Sequence, residues 1–322
     1  MKAAVLREQN QPMEIEEVQI SKPGPREVLV RPIAAGVCHS DLHFLDGSYP
    51  YMLPTILGHE SAGVVEEVGK DVTYVKKGDH VITCLSAFCG HCNKCLTGHL
   101  SLCQSPEVSR PPEVESRLSI GGETVHQFLN LSSFAELMLI HEHALVKVRE
   151  DMPMDRAALI GCSTTTGVGA VFHTAGVEPG SIVAVIGCGG VGLAAINGAA
   201  IAGASMVIAV DMVDSKLELA KAVGATHTIN PKDTDLWTAL GEHHGQEQFY
   251  WTRAVGTNVF IEATGVGALL QQVIEHAAPQ SRVSVVALHR SKVEVDFMIL
   301  LMKEMTIRGS MEYPERYEEM IE

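Results

Sequence analysis

Aromatic side chains make up only 5% of the 322 residues, and basic residues are in deficit: 24 Lys and Arg stand against 39 Asp and Glu, a formal net charge of −15. A surface that acidic repels phosphate backbones, and the chain has no basic stripe, so no nucleic-acid partner is expected. The N-terminus also lacks an apolar leader. Lys2, Arg7 and Glu8 fall within its first ten residues and no cleavage site follows, so no secretory signal is expected and the chain reads as cytoplasmic. There is no internal repeat and no low-complexity segment. One run, Ser181 to Val210, carries no charge and is long enough to raise a membrane span. It holds Gly187, Gly189, Gly190, Gly192, Gly198, Gly203 and Asn197, with Val/Ile-rich ends and an Ala/Gly-rich middle. That pattern predicts strand, helix and strand buried in a soluble fold, with no membrane contact.

What is present supports a packed core. Hydrophobic residues reach 46%, dominated by Leu, Val and Ala, and the length suits about two domains. Up to about residue 155 the chain has short β-type runs, Val28–Pro32, Gly63–Val68 and His80–Thr83. They are broken by Pro23-Gly24-Pro25, Gly69 and Lys77-Gly78-Asp79, which predicts an antiparallel or barrel-like domain. Residues 104–130 read as a polar loop. Beyond Met154–Val177, whose periodicity suits a helix, strands are expected at Ile182–Ile186, Met206–Val210, Thr226–Ile229, Val259–Glu262 and Arg282–Val286. Helices are expected at Val191–Ala204, Ser215–Val223 and Val266–Ala277. This alternation predicts an α/β, doubly wound parallel sheet.

Eight cysteines without a secretion signal point to metal binding before disulfides. In Cys89-x2-Cys92-x2-Cys95-x7-Cys103, four thiolates can close a tetrahedron around zinc and leave no place for substrate. An iron–sulfur cluster also accepts gaps of two residues. No proline follows Cys103, however, and Gly90, His91, Asn93 and Lys94 suit an exposed lobe pinned by a structural zinc. Cys84 reads as core and Cys188 as a small filler.

The second motif, Gly187-Cys188-Gly189-Gly190-Val191-Gly192, follows an expected strand and opens an expected helix, the context a dinucleotide turn requires. Gly187 permits the tight turn, Gly189 lets a pyrophosphate approach, and Gly192 allows close helix–strand packing. Phosphates would sit on the helix N-terminus. Asp211 ends the next strand, where a carboxylate accepts both ribose hydroxyls and repels a 2′-phosphate, so NAD is expected over NADP.

Cys38, His39, His43, His59, Glu60 and Cys162 mean little singly. Together, the segments Gly36-Val37-Cys38-His39-Ser40-Asp41-Leu42-His43 and Gly58-His59-Glu60 resemble the signature of zinc-dependent medium-chain alcohol dehydrogenases. The four-cysteine lobe, Leu159-Ile160-Gly161-Cys162 with Thr165-Thr166-Gly167, the glycine turn and Asp211 continue the resemblance in order. It implies a GroES-like catalytic domain over 1–157 with the zinc lobe at 89–103, a Rossmann NAD-binding domain over 158–310, and an active site in the cleft between them. It implies two zinc ions per chain: a catalytic one on Cys38, His59 and Cys162, and a structural one. Asp41 matches a carboxylate that orients the histidine ligand, and Glu60 one close behind the metal. Ser40 matches the hydroxyl that takes the alcohol proton and His43 the histidine that passes it on. His39 matches a pyrophosphate contact and Lys216 a residue near the adenosine ribose.

Leu85, Phe128 and Leu129 fall at positions that line the family's substrate pocket. Leu85 and Ser40 are both smaller than frequent alternatives, which suggests a medium or bulky primary alcohol, allylic or aromatic, over ethanol. His43 stands where glutathione-dependent formaldehyde dehydrogenases usually carry tyrosine. A polyol or threonine-type dehydrogenase is the rival within the superfamily, with Cys162 against it; a non-catalytic zinc and nucleotide binder is the rival outside enzymes. A homodimer or homotetramer is expected. Members usually continue well beyond the equivalent of Glu322, so 311–322 reads as the start of a truncated return segment. The stretch from Asn230 to Glu262 is longer than usual and includes Phe249-Tyr250-Trp251, expected on a surface loop. His99, His141, His143, His243 and His244 read as ordinary surface residues, and Glu312–Glu322 as a solvated helix face.

Overall fold

The computed structural model describes residues 1–110, 114–311 and 321. The expected return segment and the charged run at Glu312–Glu322 therefore lie outside the described residues, apart from Met311 and Ile321. Two compact units are formed, Met1–Ser163 and Thr164–Met311. Among the described residues no helix is long and apolar enough to cross a membrane.

The first unit is built on a five-stranded antiparallel sheet in the order Met138–His141, Glu27–Gly36, Glu60–Val68, His80–Thr83, Leu145–Lys147. Val28, Val30, Val65, Val81, Met138 and Ile140 are buried in one core, whereas Arg31 between them is exposed, as strand alternation requires. Strand Glu27–Gly36 shifts register at Leu29/Val30 and Pro32/Ala34, which accommodates Pro32. Its last residue, Gly36, faces Glu60, the first of the next strand. That pairing brings the chain after Gly36, with Cys38, to the same sheet end as His59.

The second unit is a six-stranded parallel sheet. Its order is His227–Ile229, Met206–Val210, Ile182–Ile186, Val259–Glu262, Arg282–Val285, Thr306–Gly309. Ala184, Ile186, Ile208, Val210 and Phe260 fill the core on one face, and Val183, Val185, Val207, Ala209 and Ile261 fill the other. Both faces are covered, which is why these strands read as unbroken apolar runs. Each valine, isoleucine or phenylalanine among them contributes about 1.5–3 kcal/mol by its burial. Helices Gly190–Ile201, Asp214–Ala222 and Gly267–His276 lie within a few residues of the expected bounds.

Three expectations need correction. Met154–Val177 is not one regular helix: α-helical turns at Met154–Leu159 and Thr165–Gly169 alternate with π-turns at Ile160–Thr164 and Ala170–Thr174. Residues 104–130 are not bare loop but hold short strands at Leu118–Ile120, Glu123–Thr124 and His126–Gln127. Leu118 and Val125 anchor that segment in the core at 1% exposure each, a signal too sparse for a periodicity to form. The surface loop expected at Phe249-Tyr250-Trp251 is the tip of a hairpin of Gln246–Phe249 and Thr252–Val255, with Tyr250 and Trp251 exposed. His141 is buried, not on the surface: it ends the sheet-edge strand Met138–His141, paired with Glu27 of the neighbouring strand.

Candidate functional site

Cys38 caps the short helix His39–Leu45, and its backbone N–H donates to Asp41 Oδ2 at 2.9 Å. The other oxygen, Oδ1, accepts from Gly58 N and from His59 Nδ1, each at 3.1 Å. One buried carboxylate thus ties two chain segments together and turns His59 Nε2 the opposite way. Nε2 lies 3.5 Å from Cys162 Sγ. Cys162 stands on the Ile160–Thr164 π-turn, an irregularity that often marks a functional position in a helix. The donor atoms of Cys38, His59 and Cys162 lie within 4.8 Å of one another.

The donor set fits zinc. A tetrahedral ion with bonds of about 2.3 Å to sulfur and 2.0–2.1 Å to nitrogen separates S from N by about 3.6 Å, and three protein ligands leave a fourth position open. The electrostatics agree. Hydrogen bonding to Cys162 and the nearby His59 outweigh burial and hold the Cys38 thiol far below its ordinary range. Burial opposes charge on His59, but Asp41 and Cys38 outweigh it and push its pKa up. The thiolate favoured at Cys38 is the form that ligates zinc, and the Asp41 contact at Nδ1 leaves Nε2 as the ring nitrogen directed to the site.

Glu60 is buried, and burial raises its pKa. Its Oε1 accepts from Ser163 Oγ at 2.7 Å and Ser163 N at 3.2 Å, so it anchors the residue after Cys162. Sequence reasoning missed Ser163, whose signal was only its adjacency to Cys162. Ser40 Oγ is 3.6 Å from Cys38 Sγ. His43 is buried, its ring 4.8 Å from that of exposed His39 and 5.6 Å from that of Tyr49. Of the three expected pocket residues, Phe128 is fully buried and stands edge-on to His59 at 5.6 Å. Leu129 packs against the cluster of Leu6, Leu57 and Phe128. Leu85 packs instead on the core that includes Cys89 and Cys95.

In the lobe, Cys92 Sγ lies 3.5 Å from Cys95 Sγ and 4.0 Å from Cys103 Sγ, and Cys89 Sγ lies 3.8 Å from Cys95 Sγ. A zinc tetrahedron has S···S edges of about 3.8 Å, whereas a disulfide needs about 2.05 Å. Backbone N–H groups of Cys89 and Cys92 donate to Cys103 Sγ and Cys89 Sγ, each at 3.3 Å, which suits thiolates. All eight cysteines are outside disulfides.

In the second unit, Gly187 adopts φ 100°, and a Cβ on Gly192 would collide with the Gly187 carbonyl oxygen. Gly189 is the N-cap of Gly190–Ile201; among the described residues no side chain bonds to that cap, and nothing lies within 4 Å of where its Cβ would be. The first N–H groups of this helix, on Gly190, Val191 and Gly192, are those a helix leaves without an intrahelical acceptor, the donors a phosphate would take. Asp211 Oδ2 accepts from Cys188 N at 2.9 Å and Oδ1 from Val213 N at 3.0 Å, which fixes the carboxylate beside the turn. Lys216 Nζ is 3.7 Å from Asp211 Oδ2.

Two family models match the chain: the alcohol dehydrogenase GroES-like domain over residues 24–150 and the zinc-binding dehydrogenase over residues 190–322. The chain is 43% identical over 240 residues to an alcohol dehydrogenase class-3 of Oryza sativa subsp. japonica, a match covering 73% of this chain and 63% of that protein. It thus spans less than two thirds of the length of the curated relatives it matches. The structure of an alcohol dehydrogenase zinc-binding domain protein from Burkholderia ambifaria is similar with a TM-score of 0.88 and 38% identity, covering 98% of this chain and 87% of that one. Benzyl alcohol dehydrogenase from Acinetobacter calcoaceticus gives a TM-score of 0.85 and 35% identity, covering 97% and 84%.

Proposed function

Because the chain belongs to the zinc-dependent medium-chain alcohol dehydrogenase family, we propose that it oxidises an alcohol to its aldehyde or ketone by hydride transfer to NAD. Cys38, His59 and Cys162 would hold a catalytic zinc, and Cys89, Cys92, Cys95 and Cys103 a structural one. The observation that carries the reading is the convergence of two thiols and one imidazole, with Asp41 fixing the imidazole. Zinc, when bound there, supplies Lewis acidity that makes an alcohol proton easier to remove.

The chain's own residues account for the rest. Asp41 holds His59 in one tautomer, since a carboxylate can only accept the Nδ1 proton. Ser40 would accept the hydroxyl proton, and His43, three residues on along the same helix, would carry it away. A dinucleotide bound at the glycine turn would supply the hydride acceptor, and Ser40 and His43 would give the proton a separate way out. The Gly187–Gly192 turn would bind the pyrophosphate with His39 contacting it. Asp211 would take the adenine ribose, with Lys216 beside it, and its charge would disfavour NADP.

Phe128 beside His59, with a serine rather than a threonine at Ser40 next to Cys38, favours a medium or bulky primary alcohol, allylic or aromatic. The likeness to a benzyl alcohol dehydrogenase supports the same class. A cytoplasmic location is the one expected where cysteines serve metal rather than disulfides, and a homodimer or homotetramer is the expected assembly. The test is NADH and NADPH formation by the zinc-loaded chain across primary, secondary and aromatic alcohols. Turnover fastest with NAD and an aromatic or allylic primary alcohol is expected; a folded, zinc-replete chain silent on every alcohol would overturn the reading.

A further inference from the structure

In a doubly wound sheet the dinucleotide crosses the carboxyl ends of the strands where the strand order reverses. Here that point lies between Ile182–Ile186 and Val259–Glu262, adjacent strands in which Ile186 faces Glu262. The glycine turn and Asp211 lie at the ends of Ile182–Ile186 and Met206–Val210. The adenine half therefore belongs on that side, and the nicotinamide half extends over the ends of Val259–Glu262 and Arg282–Val285.

At those ends sits a buried acid–imidazole pair that the proposed chemistry leaves unused. Glu262 is fully buried, and its Oε2 lies 3.0 Å from His289 Nε2. Its Oε1 accepts from Thr264 N at 2.8 Å, Thr264 Oγ1 at 2.5 Å and Gly265 N at 2.9 Å. A carboxylate oxygen accepts, so the contact holds His289 with Nε2 as the donor toward Glu262. The backbone adds a second constraint: Gly265 has φ +73°, and a Cβ there would lie 2.5 Å from Leu288 O. The turn after one strand is thus pressed against the segment that carries His289 from the next. A buried carboxylate is costly to keep and packs no better than an apolar residue, so its presence at a ligand crevice points to orientation of its partner.

We infer that His289 contacts the nicotinamide nucleoside half of the bound dinucleotide, and that Glu262 is the positioning residue that holds it there. The inference rests on the dinucleotide reading above. It is tested by calorimetry on the zinc-loaded chain with two ligands: ADP, which stops at the second phosphate, and NAD. His289→Ala should weaken NAD about tenfold while ADP changes less than about twofold. His289→Gln, which keeps an N–H donor toward Glu262, should recover part of the NAD affinity, and Glu262→Gln should follow His289→Ala. Unchanged NAD affinity in His289→Ala, or equal losses for ADP and NAD, would overturn the inference while leaving the dinucleotide site standing. A wild-type chain that binds neither ligand would overturn both.

Discussion

His59 Nδ1 lies 3.1 Å from Asp41 Oδ1, with both side chains at 3% exposure or less. The same oxygen also receives the Gly58 N–H, so the carboxylate sets the approach of the backbone as well as the ring. Asp41→Asn keeps the shape but can present its NH2 to the ring, which misorients the imidazole. Zinc affinity at the Cys38–His59–Cys162 site should fall about 10–100-fold. Chelator competition on the purified protein, followed by metal analysis, reads this directly. A variant that retains wild-type affinity there would show that Asp41 does not act through His59.

The four-cysteine lobe should behave as an independent staple. Leu96 and Leu102 are exposed within it, so its own apolar burial is small and the thiolates must supply the cohesion. Cys95→Ser should lower the zinc content by one ion and cost about 2 kcal/mol or more, a fall in Tm of about 5 °C. The cobalt spectrum of the Cys38 site should stay as in wild type. Unaltered zinc content would mean that the lobe holds no metal.

Features set by local chemistry were legible in the sequence. The strands Ile182–Ile186 and Met206–Val210 end where their apolar runs end, and Val259–Glu262 ends one residue beyond, on Glu262. The Cys89–Cys103 spacing and the Gly187–Gly192 turn need no distant partner to be read. Other features depend on residues far apart in the chain. Glu262 and His289 are 27 positions apart, and nothing near either one signals the other. The hairpin strand Gln246–Phe249 buries almost nothing, so it has no hydrophobic period to read. Helix Leu236–His244 is different: Asp235 caps it and Leu236, Trp237, Ala239 and Leu240 mark its buried face, a signal that was present in the sequence.

Asp211 offers a test of cofactor choice. Its carboxylate accepts from Cys188 N and Val213 N, with Lys216 Nζ 3.7 Å away. Asp211→Ala should weaken NAD about tenfold, through loss of hydrogen bonds to the ribose hydroxyls, and narrow the preference over NADP. Binding of both cofactors by calorimetry measures the change. An unaltered NAD/NADP ratio would place the adenine ribose away from Asp211.

Stability should carry a pH signature from His141. This imidazole is 2% exposed, and burial, with His143 and Arg26 nearby, pushes its pKa from 6.5 down to about 4. Between those values the unfolded chain binds a proton that the folded chain refuses. The contribution of His141 is therefore complete above pH 6.5 and is lost as the pH falls toward 4. At pH 5 the loss is on the order of 1–2 kcal/mol. His141→Asn removes the titration while keeping an acceptor for His143 N, which donates to His141 Nδ1 at 3.2 Å. Urea unfolding at pH 7.5 and pH 5 should show a smaller drop for the variant than for wild type. Both proteins share the same zinc ligands, so any acid-induced metal loss cancels in the difference. Equal drops would mean that His141 takes up its proton in the folded state as easily as in the unfolded one.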